Sequence, residues 1–73
     1  MKKPTGTVIQ VNGSVVDVEF PPNDLPEIFE ALEIIKPNGE ILVLEVELLL
    51  KGFIARCVAM GSTDGLQRSV PVQ

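Results

Sequence analysis

Two pairs of acidic residues, Asp17 with Glu19 and Glu45 with Glu47, are the first candidates for chemistry in this sequence. On an extended strand, residues two apart lie on the same face, and paired carboxylates can serve as general acid and base. The sequence around them offers neither a neighbouring nucleophile nor a partner for a metal ion. We therefore interpret both pairs as the solvated outer faces of strands.

The side-chain inventory excludes several common kinds of active site. The sequence has no histidine, and Cys57 is its single cysteine, so a Ser–His–Asp triad, a Cys–His pair, a zinc site and a disulfide framework are all excluded. We expect no catalytic residue, no metal site and no cofactor. Cys57 lies in an apolar run and is predicted to be a buried structural thiol, in keeping with a reducing compartment.

The glycine- and hydroxyl-containing segment 61–65 could in principle hold a phosphate group. Phosphate-binding loops normally carry a lysine and open a helix, whereas Leu66 and Gln67 follow here. The segment is better interpreted as a turn in which Asp64 and Gly65 supply an unusual backbone conformation. Arg56 and Arg68 are expected to form ion pairs on the surface rather than a binding site for anions.

Length and charge narrow the class of protein. A chain of 73 residues predicts a single domain over 1–73, and its net charge of −4 disfavours nucleic acid as a partner. The segment 1–6 lacks the apolar core of a signal peptide. The most apolar stretch, 41–50, contains Glu45 and Glu47 and is too short to cross a bilayer, so we expect no membrane insertion.

Two Asn-Gly dipeptides, Asn12-Gly13 and Asn38-Gly39, predict two β-hairpins. Each is flanked by alternating apolar residues, and a type I′ turn needs positive φ at both central residues, which Asn and Gly tolerate. Six short strands are expected, over 7–11, 16–20, 31–35, 40–51, 53–60 and 66–72. So many strands in so short a chain predict an all-β fold, a small six-stranded closed barrel of Greek-key-like topology.

Some details of this assignment are more specific. Val16, Val18 and Phe20 should share the buried face of the second strand. In the fourth strand, Leu42, Leu44, Val46, Leu48 and Leu50 should share one face, although its leucines and glutamates would also permit a helix. Between 23 and 32, a turn is expected, with Pro26 a possible first residue of a short helix.

The segment 48–54 is apolar on both faces of the chain, which is unusual for a small domain. One face must either contact a neighbouring subunit or leave the domain prone to aggregation, and we favour the neighbour. The residues predicted to form this subunit interface are Leu48, Leu49, Leu50, Phe53 and Ile54.

Several stretches, in order along nearly the whole chain, carry a resemblance to a known family. They are Gly6-Thr7-Val8-Ile9-Gln10-Val11-Asn12-Gly13, Val15-Val16-Asp17-Val18-Glu19-Phe20-Pro21, Leu25-Pro26 with Ile28, Ala31-Leu32, Leu42-Val43-Leu44-Glu45-Val46, Arg56, Ala59-Met60 and Ser62-Thr63-Asp64-Gly65-Leu66 with Arg68. Together they resemble the N-terminal β-barrel domain of the β subunit, the catalytic subunit, of F-type ATP synthase. The chain departs from the family at 48–50 and 52–54, where a polar connection is usual, and at Ser69, where glycine is usual.

The resemblance implies a structural role. In the family, six such barrels from alternating α and β subunits form a ring at the end of the hexamer farthest from the membrane. The phosphate-binding loop, the general-base glutamate and the magnesium-site residues all belong to a domain beyond the barrel. The expectation is therefore a non-enzymatic assembly module without the catalytic nucleotide-binding domain. It would contact α-type subunits on the cytoplasmic or mitochondrial matrix side, peripheral to a membrane-bound complex.

Two alternatives remain open. A free-standing or engineered small barrel could self-associate as a homodimer or homo-oligomer, or bind a ligand such as single-stranded nucleic acid. The latter needs a basic groove and aromatic residues for stacking, whereas this chain is acidic and has only Phe20, Phe29 and Phe53. A small enzyme is disfavoured because no nucleophile and base combine plausibly.

Overall fold

A computed structural model describes residues 6–73 of the chain. The segment 1–6, which was predicted not to be a signal peptide, therefore lies outside the described residues except for Gly6. The elements, in chain order, are β1 (Gly6–Asn12), β2 (Val15–Glu19), a 3₁₀ turn (Pro22–Asp24), β3 (Ala31–Ile35), β4 (Ile41–Leu50), β5 (Ile54–Ala59) and β6 (Pro71–Val72). Within residues 6–73 there is no α-helix, so the predicted all-β fold is confirmed.

The six strands form one antiparallel sheet in the order β3-β4-β5-β2-β1-β6. Backbone hydrogen bonds join its two ends: the Glu33 amide donates to the Gln73 carbonyl at 2.8 Å, and the Gln73 amide donates to the Glu33 carbonyl at 3.0 Å. The predicted closed barrel is thus confirmed. β2 pairs with β5 rather than with its sequence neighbour β3, which gives the Greek-key-like crossover. The last strand is shorter than predicted, covering only two residues.

The first hairpin has a different turn from the predicted type I′. Asn12 still pairs with Val15, so the loop consists of Gly13 and Ser14. Gly13 has a φ of +61°, whereas Ser14 is not among the described residues with positive φ. Positive φ at the first central residue alone is the pattern of a type II′ turn, which also matches the twist of the strands.

The second hairpin is also not type I′. The Lys36 amide donates to the Glu40 carbonyl and the Gly39 amide to the Lys36 carbonyl, both at 2.8 Å. This leaves a three-residue loop, Pro37-Asn38-Gly39, in which Gly39 has a φ of +88°. The arrangement is that of a type I turn followed by a left-handed residue, and Pro37 favours it because its fixed φ suits the first central position.

The core fills the barrel interior with alternating residues from every strand. As predicted, Val16, Val18 and Phe20 are buried together. The other buried apolar residues are Val8, Leu32, Ile34, Leu42, Leu44, Val46, Ala55, Cys57, Ala59, Leu66 and Val72. Cys57 is fully buried, as predicted, and burial raises the pKa of its thiol to about 12, so the reactive thiolate is scarce at neutral pH.

The predicted face assignment of β4 is wrong beyond Val46. The β4–β5 register shifts between Val46 and Leu48, so that Glu47 is an extra residue in a β-bulge. Because a one-residue shift exchanges the two faces of a strand, Leu49 packs against the core, while Leu48 is exposed. Simple alternation had placed Leu48 and Leu50 with the core residues of this strand.

The connection between β2 and β3 contains no helix that begins at Pro26. The only 3₁₀ turn in the described residues comes earlier, at Pro22–Asp24. Pro26 is buried, and a tight turn follows, in which the Glu30 amide donates to the Glu27 carbonyl at 3.1 Å. Phe29 in this turn has a φ of +72°. The turn expected in this region is present, and its tightest part lies just before β3.

Candidate subunit interface

The predicted interface segment lies at the end of the barrel where β4 leads into β5. Leu48 is 48% exposed and Phe53 is 45% exposed, and both are among the large apolar side chains open to solvent. Leu50 and Ile54 are half-buried and lie directly opposite each other on the paired strands. Leu49 differs from the other four because it packs against the core. All five predicted residues are at least partly accessible, and four of them do not pack against the core cluster.

A three-residue loop holds Phe53 at this position. Leu50 pairs with Ile54, so Lys51, Gly52 and Phe53 form the connection. Gly52 has a φ of +83° and Phe53 a φ of +63°. The Phe53 carbonyl accepts a hydrogen bond of 2.9 Å from the Phe20 amide, which ties the loop to the end of β2. The exposed phenylalanine is thus held by the backbone in a conformation that a bulky residue rarely adopts.

Ile28 and Phe29 belong to the same end of the barrel, although the sequence analysis did not identify them as interface residues. Phe29 is 71% exposed, and Ile28 is exposed as well. The Phe29 amide donates to the Val46 carbonyl at 2.7 Å, next to the bulge that carries Glu47. A signal was available in the sequence: two large apolar residues stand between Glu27 and Glu30, outside any alternating pattern.

Exposed carboxylates lie in the same segments as these apolar side chains. The residues concerned are Glu19, Glu27, Glu30 and Glu47. A hydrogen bond with Glu45, together with partial desolvation and repulsion between the two carboxylates, raises the pKa of Glu47 above its usual 4.5. The carboxylates of Glu45 and Glu47 thus interact with each other, and among the described residues they belong to no cluster of three or more side chains that could hold a metal ion.

Asp17 departs from its predicted place on a solvated face. It is only 6% exposed, and Arg56 contacts it through two hydrogen bonds of 3.0 Å, from Nε to Oδ1 and from Nη2 to Oδ2. The carboxylate raises the pKa of Arg56, first through these hydrogen bonds and then through its charge. Arg56 forms the predicted ion pair, but its partner is buried, and Gln10, Asn12 and Val15 line a shallow groove beside it.

The glycine-containing loop 61–65 has a structural role. The Leu66 amide donates to the Thr63 carbonyl at 3.0 Å, and Gly65, with a φ of +79°, occupies the third position of this turn. Thr63 Oγ1 donates to the Gly13 carbonyl at 2.8 Å, which fastens the loop to the first hairpin. Lys36 Nζ donates to the Ser62 carbonyl at 3.2 Å from the other side. Through these contacts the loop connects the first hairpin to the second.

A second exposed apolar area lies at the opposite end of β4. Ile35 and Ile41 face each other across β3 and β4, and the Met60 amide donates to the Val43 carbonyl at 2.8 Å. All four side chains are exposed. The barrel therefore has apolar surface at both ends of its longest strand, with Glu45 and Glu47 between them.

The fold and these surfaces define a class: a small closed β-barrel whose accessible features are apolar areas, with no cluster of three or more metal-ligating side chains among residues 6–73. Residues 8–73 match the family described as ATP synthase alpha/beta family, beta-barrel domain. The match covers nearly the whole chain, and the protein belongs to this family. No helix in the described part of the chain is long and apolar enough to cross a membrane.

Proposed function

We propose that this barrel is an assembly module of the β type, which packs against neighbouring α-type barrels and so helps to hold the ring of an ATP synthase head together. The observation that carries the proposal is the exposed apolar surface of Leu48, Leu50, Phe53 and Ile54 on a domain of this family. Apolar groups exposed together on a small protein favour contact with another protein. The proposed role is positioning, with no step of catalysis assigned to residues 8–73.

Membership of the ring also gives the proposed setting. A module of this kind would lie on the cytoplasmic or mitochondrial matrix side, peripheral to a membrane-bound complex. The acidic character of the domain supports a protein partner over nucleic acid, because a net charge of −4 repels a phosphate backbone.

The test is association with an α-type subunit of the same family from the same organism, measured by sedimentation velocity. Leu48→Ser and Phe53→Ser should each weaken the association by about tenfold or more, because exposed anchors at the centre of an interface carry most of its affinity. Ile41→Ser is the matched control, since Ile41 is a large apolar residue at least as exposed as Leu48 and Phe53 but lies at the other end of β4.

Circular dichroism of each variant checks that the barrel still folds. We expect it to fold, because the substituted residues are exposed. Equal affinity of Leu48→Ser, Phe53→Ser and the unaltered chain for the α-type subunit would refute this assignment of the interface. Failure of the unaltered chain to bind any α-type subunit would refute the assembly role itself.

A further inference from the structure

We propose that the end of the barrel carrying Ile28, Phe29, Leu48, Leu50 and Phe53, here called the apolar end, is built for a protein partner with an apolar centre and a basic rim, and that it disfavours a second copy of this chain. The inference rests on the proposed function, which supplies the role of the surface. It adds the chemistry of the partner.

The strand register brings the three segments of the apolar end together. Glu19, the last residue of β2, pairs with Ile54, and Ile54 pairs with Leu50. On the other side of β4, the Val46 amide donates to the Glu30 carbonyl at 3.0 Å, which extends the β3–β4 pairing toward the turn that contains Phe29. Residues 19–20, 27–30 and 47–54 therefore meet at one end of the barrel.

Three phenylalanines lie at this end, and while Phe20 is buried, Phe29 and Phe53 are both exposed and both held at positive φ, +72° and +63° respectively. Such a phenylalanine contributes less to folding than a core residue does, because much of its surface stays in water, 71% for Phe29 and 45% for Phe53, and its backbone is strained. Strained residues of this kind cluster at binding sites, where the partner supplies the compensating contacts. Phe29 and Phe53 thus have the character of anchors for a protein contact.

The charges at the apolar end determine which partner can use these anchors. Residues 19–20, 27–30 and 47–54 contain four glutamates, Glu19, Glu27, Glu30 and Glu47, against one basic residue, Lys51, so their net charge is −3. All four carboxylates are exposed. Two copies meeting through this end would bring two such surfaces together, which costs free energy, whereas lysines or arginines on a partner would complement them.

The test uses a charge-reversed copy of the chain as the probe. The triple variant E19K/E27K/E47K changes the net charge of the apolar end from −3 to +3 and keeps Glu30, whose Oε1 accepts a hydrogen bond of 3.0 Å from the Glu27 amide. Sedimentation velocity then compares three samples at equal total concentration: the unaltered chain, the triple variant, and an equimolar mixture of the two.

We expect each chain alone to be monomeric in about 10 mM salt, where charges interact over roughly 30 Å, while the mixture forms a one-to-one complex. In about 1 M salt, where this range falls to roughly 3 Å, the complex should weaken by tenfold or more. Phe29→Asn and Leu48→Ser, introduced into both chains, should abolish the complex. Asparagine tolerates positive φ, so Phe29→Asn preserves the fold, and Ile41→Ser, at the opposite end of β4, should leave the complex intact.

Self-association of the unaltered chain in low salt that is as tight as the mixture would overturn the inference, and so would a mixture that stays monomeric. The result is independent of the test with an α-type subunit. If the mixture forms a complex but the chain does not bind an α-type subunit, the proposed partner chemistry of the apolar end stands and the proposed role in a ring is refuted. If the chain binds an α-type subunit but the mixture forms no complex, the proposed assembly role stands and the proposal that the partner has a basic rim is refuted.

Discussion

At the scale of single residues, Glu47 occupies an unusual position as the extra residue of the β4 bulge, beside Glu45. Glu47 is fully exposed to solvent, yet its pKa is raised above 4.5, chiefly by the hydrogen bond with Glu45. The folded state therefore binds a proton at Glu47 more strongly than the unfolded chain does. The stabilisation that this proton provides is complete below pH 4.5 and is lost as the pH rises through the raised pKa.

Glu47→Gln should consequently raise the free energy of unfolding at pH 7, because the amide removes the repulsion between the two carboxylates. The gain should shrink as the pH falls through the raised pKa of Glu47 and be smallest below pH 4.5, where the glutamate of the unaltered chain is itself protonated. Urea unfolding at pH 7 and pH 4 measures both values. Glu19→Gln is the control for general charge reduction on an exposed strand end, and an equal gain for Glu47→Gln at both pH values would contradict the account.

At the scale of strands, the ion pair between Asp17 and Arg56 lies where the sheet is least regular. Asp17 pairs with Gln10 on one side, where the β1–β2 register shifts after Val8, and with Arg56 on the other. Arg56 in turn pairs with Leu48, next to the bulge of β4. Each bulge permits a local change of face. The ion pair joins β2 to β5, which are neighbours in the sheet although they are not consecutive in sequence.

Breaking this pair from one side should be costly. Arg56→Met leaves the buried Asp17 carboxylate without its partner, so the free energy of unfolding should fall, by less than is usual for a fully buried pair because the arginine is partly exposed. Replacing both residues, D17V/R56M, should recover most of that loss, because no buried charge then remains. Urea unfolding of the three proteins checks the prediction, and a double variant less stable than Arg56→Met would contradict it.

Much of this strand arrangement could be predicted from the sequence, and the exceptions have physical causes. Alternation identified five strands close to their observed bounds because one face of each is buried. The bulge at Glu47 was not predictable, since Leu48, Leu49 and Leu50 are equally apolar and fit either register. The burial of Asp17 was not predictable from local pattern either, because its partner Arg56 is 39 residues away and becomes its neighbour only through the pairing of β2 with β5.

At the scale of the whole molecule, closure of the barrel depends on its smallest element. β6 has two residues, paired with Gly6 and Thr7 of β1, and the hydrogen bonds between Gln73 and Glu33 join it to β3. Val72 is fully buried between these neighbours. A barrel of this size has little stability in reserve, so the closing strand matters out of proportion to its length.

Val72→Ser should therefore open the barrel at this seam. We expect a loss of about 2 kcal/mol from removing a buried apolar group and introducing a hydroxyl. Amide hydrogen exchange should show the Glu33 and Gln73 amides losing protection before that of Val18 in the central strand β2. Pro71→Ala, at the exposed neighbouring position, should change little, and uniform loss of protection throughout the sheet would contradict opening at the seam.

The family and the closed barrel were predictable at this scale because the matching stretches run along nearly the whole chain. The apolar end was only partly predictable. Leu48 and Phe53 stood out in a contiguous apolar segment, whereas Ile28 and Phe29 join them only through the turn before β3. The charge of that end is likewise a property of three separate segments, which no local pattern brings together.

The second hairpin turn has a consequence for how the molecule ages. Asparagine followed by glycine is prone to deamidation, in which the glycine amide nitrogen attacks the asparagine side-chain carbonyl and forms a cyclic imide. Here the Gly39 amide donates to the Lys36 carbonyl, and Asn38 Oδ1 accepts from the Glu40 amide while Nδ2 donates to Glu40 Oε1. Both reacting groups are engaged in other hydrogen bonds, so the folded turn protects Asn38. Deamidation at this site should therefore proceed mainly from molecules in which the hairpin has opened.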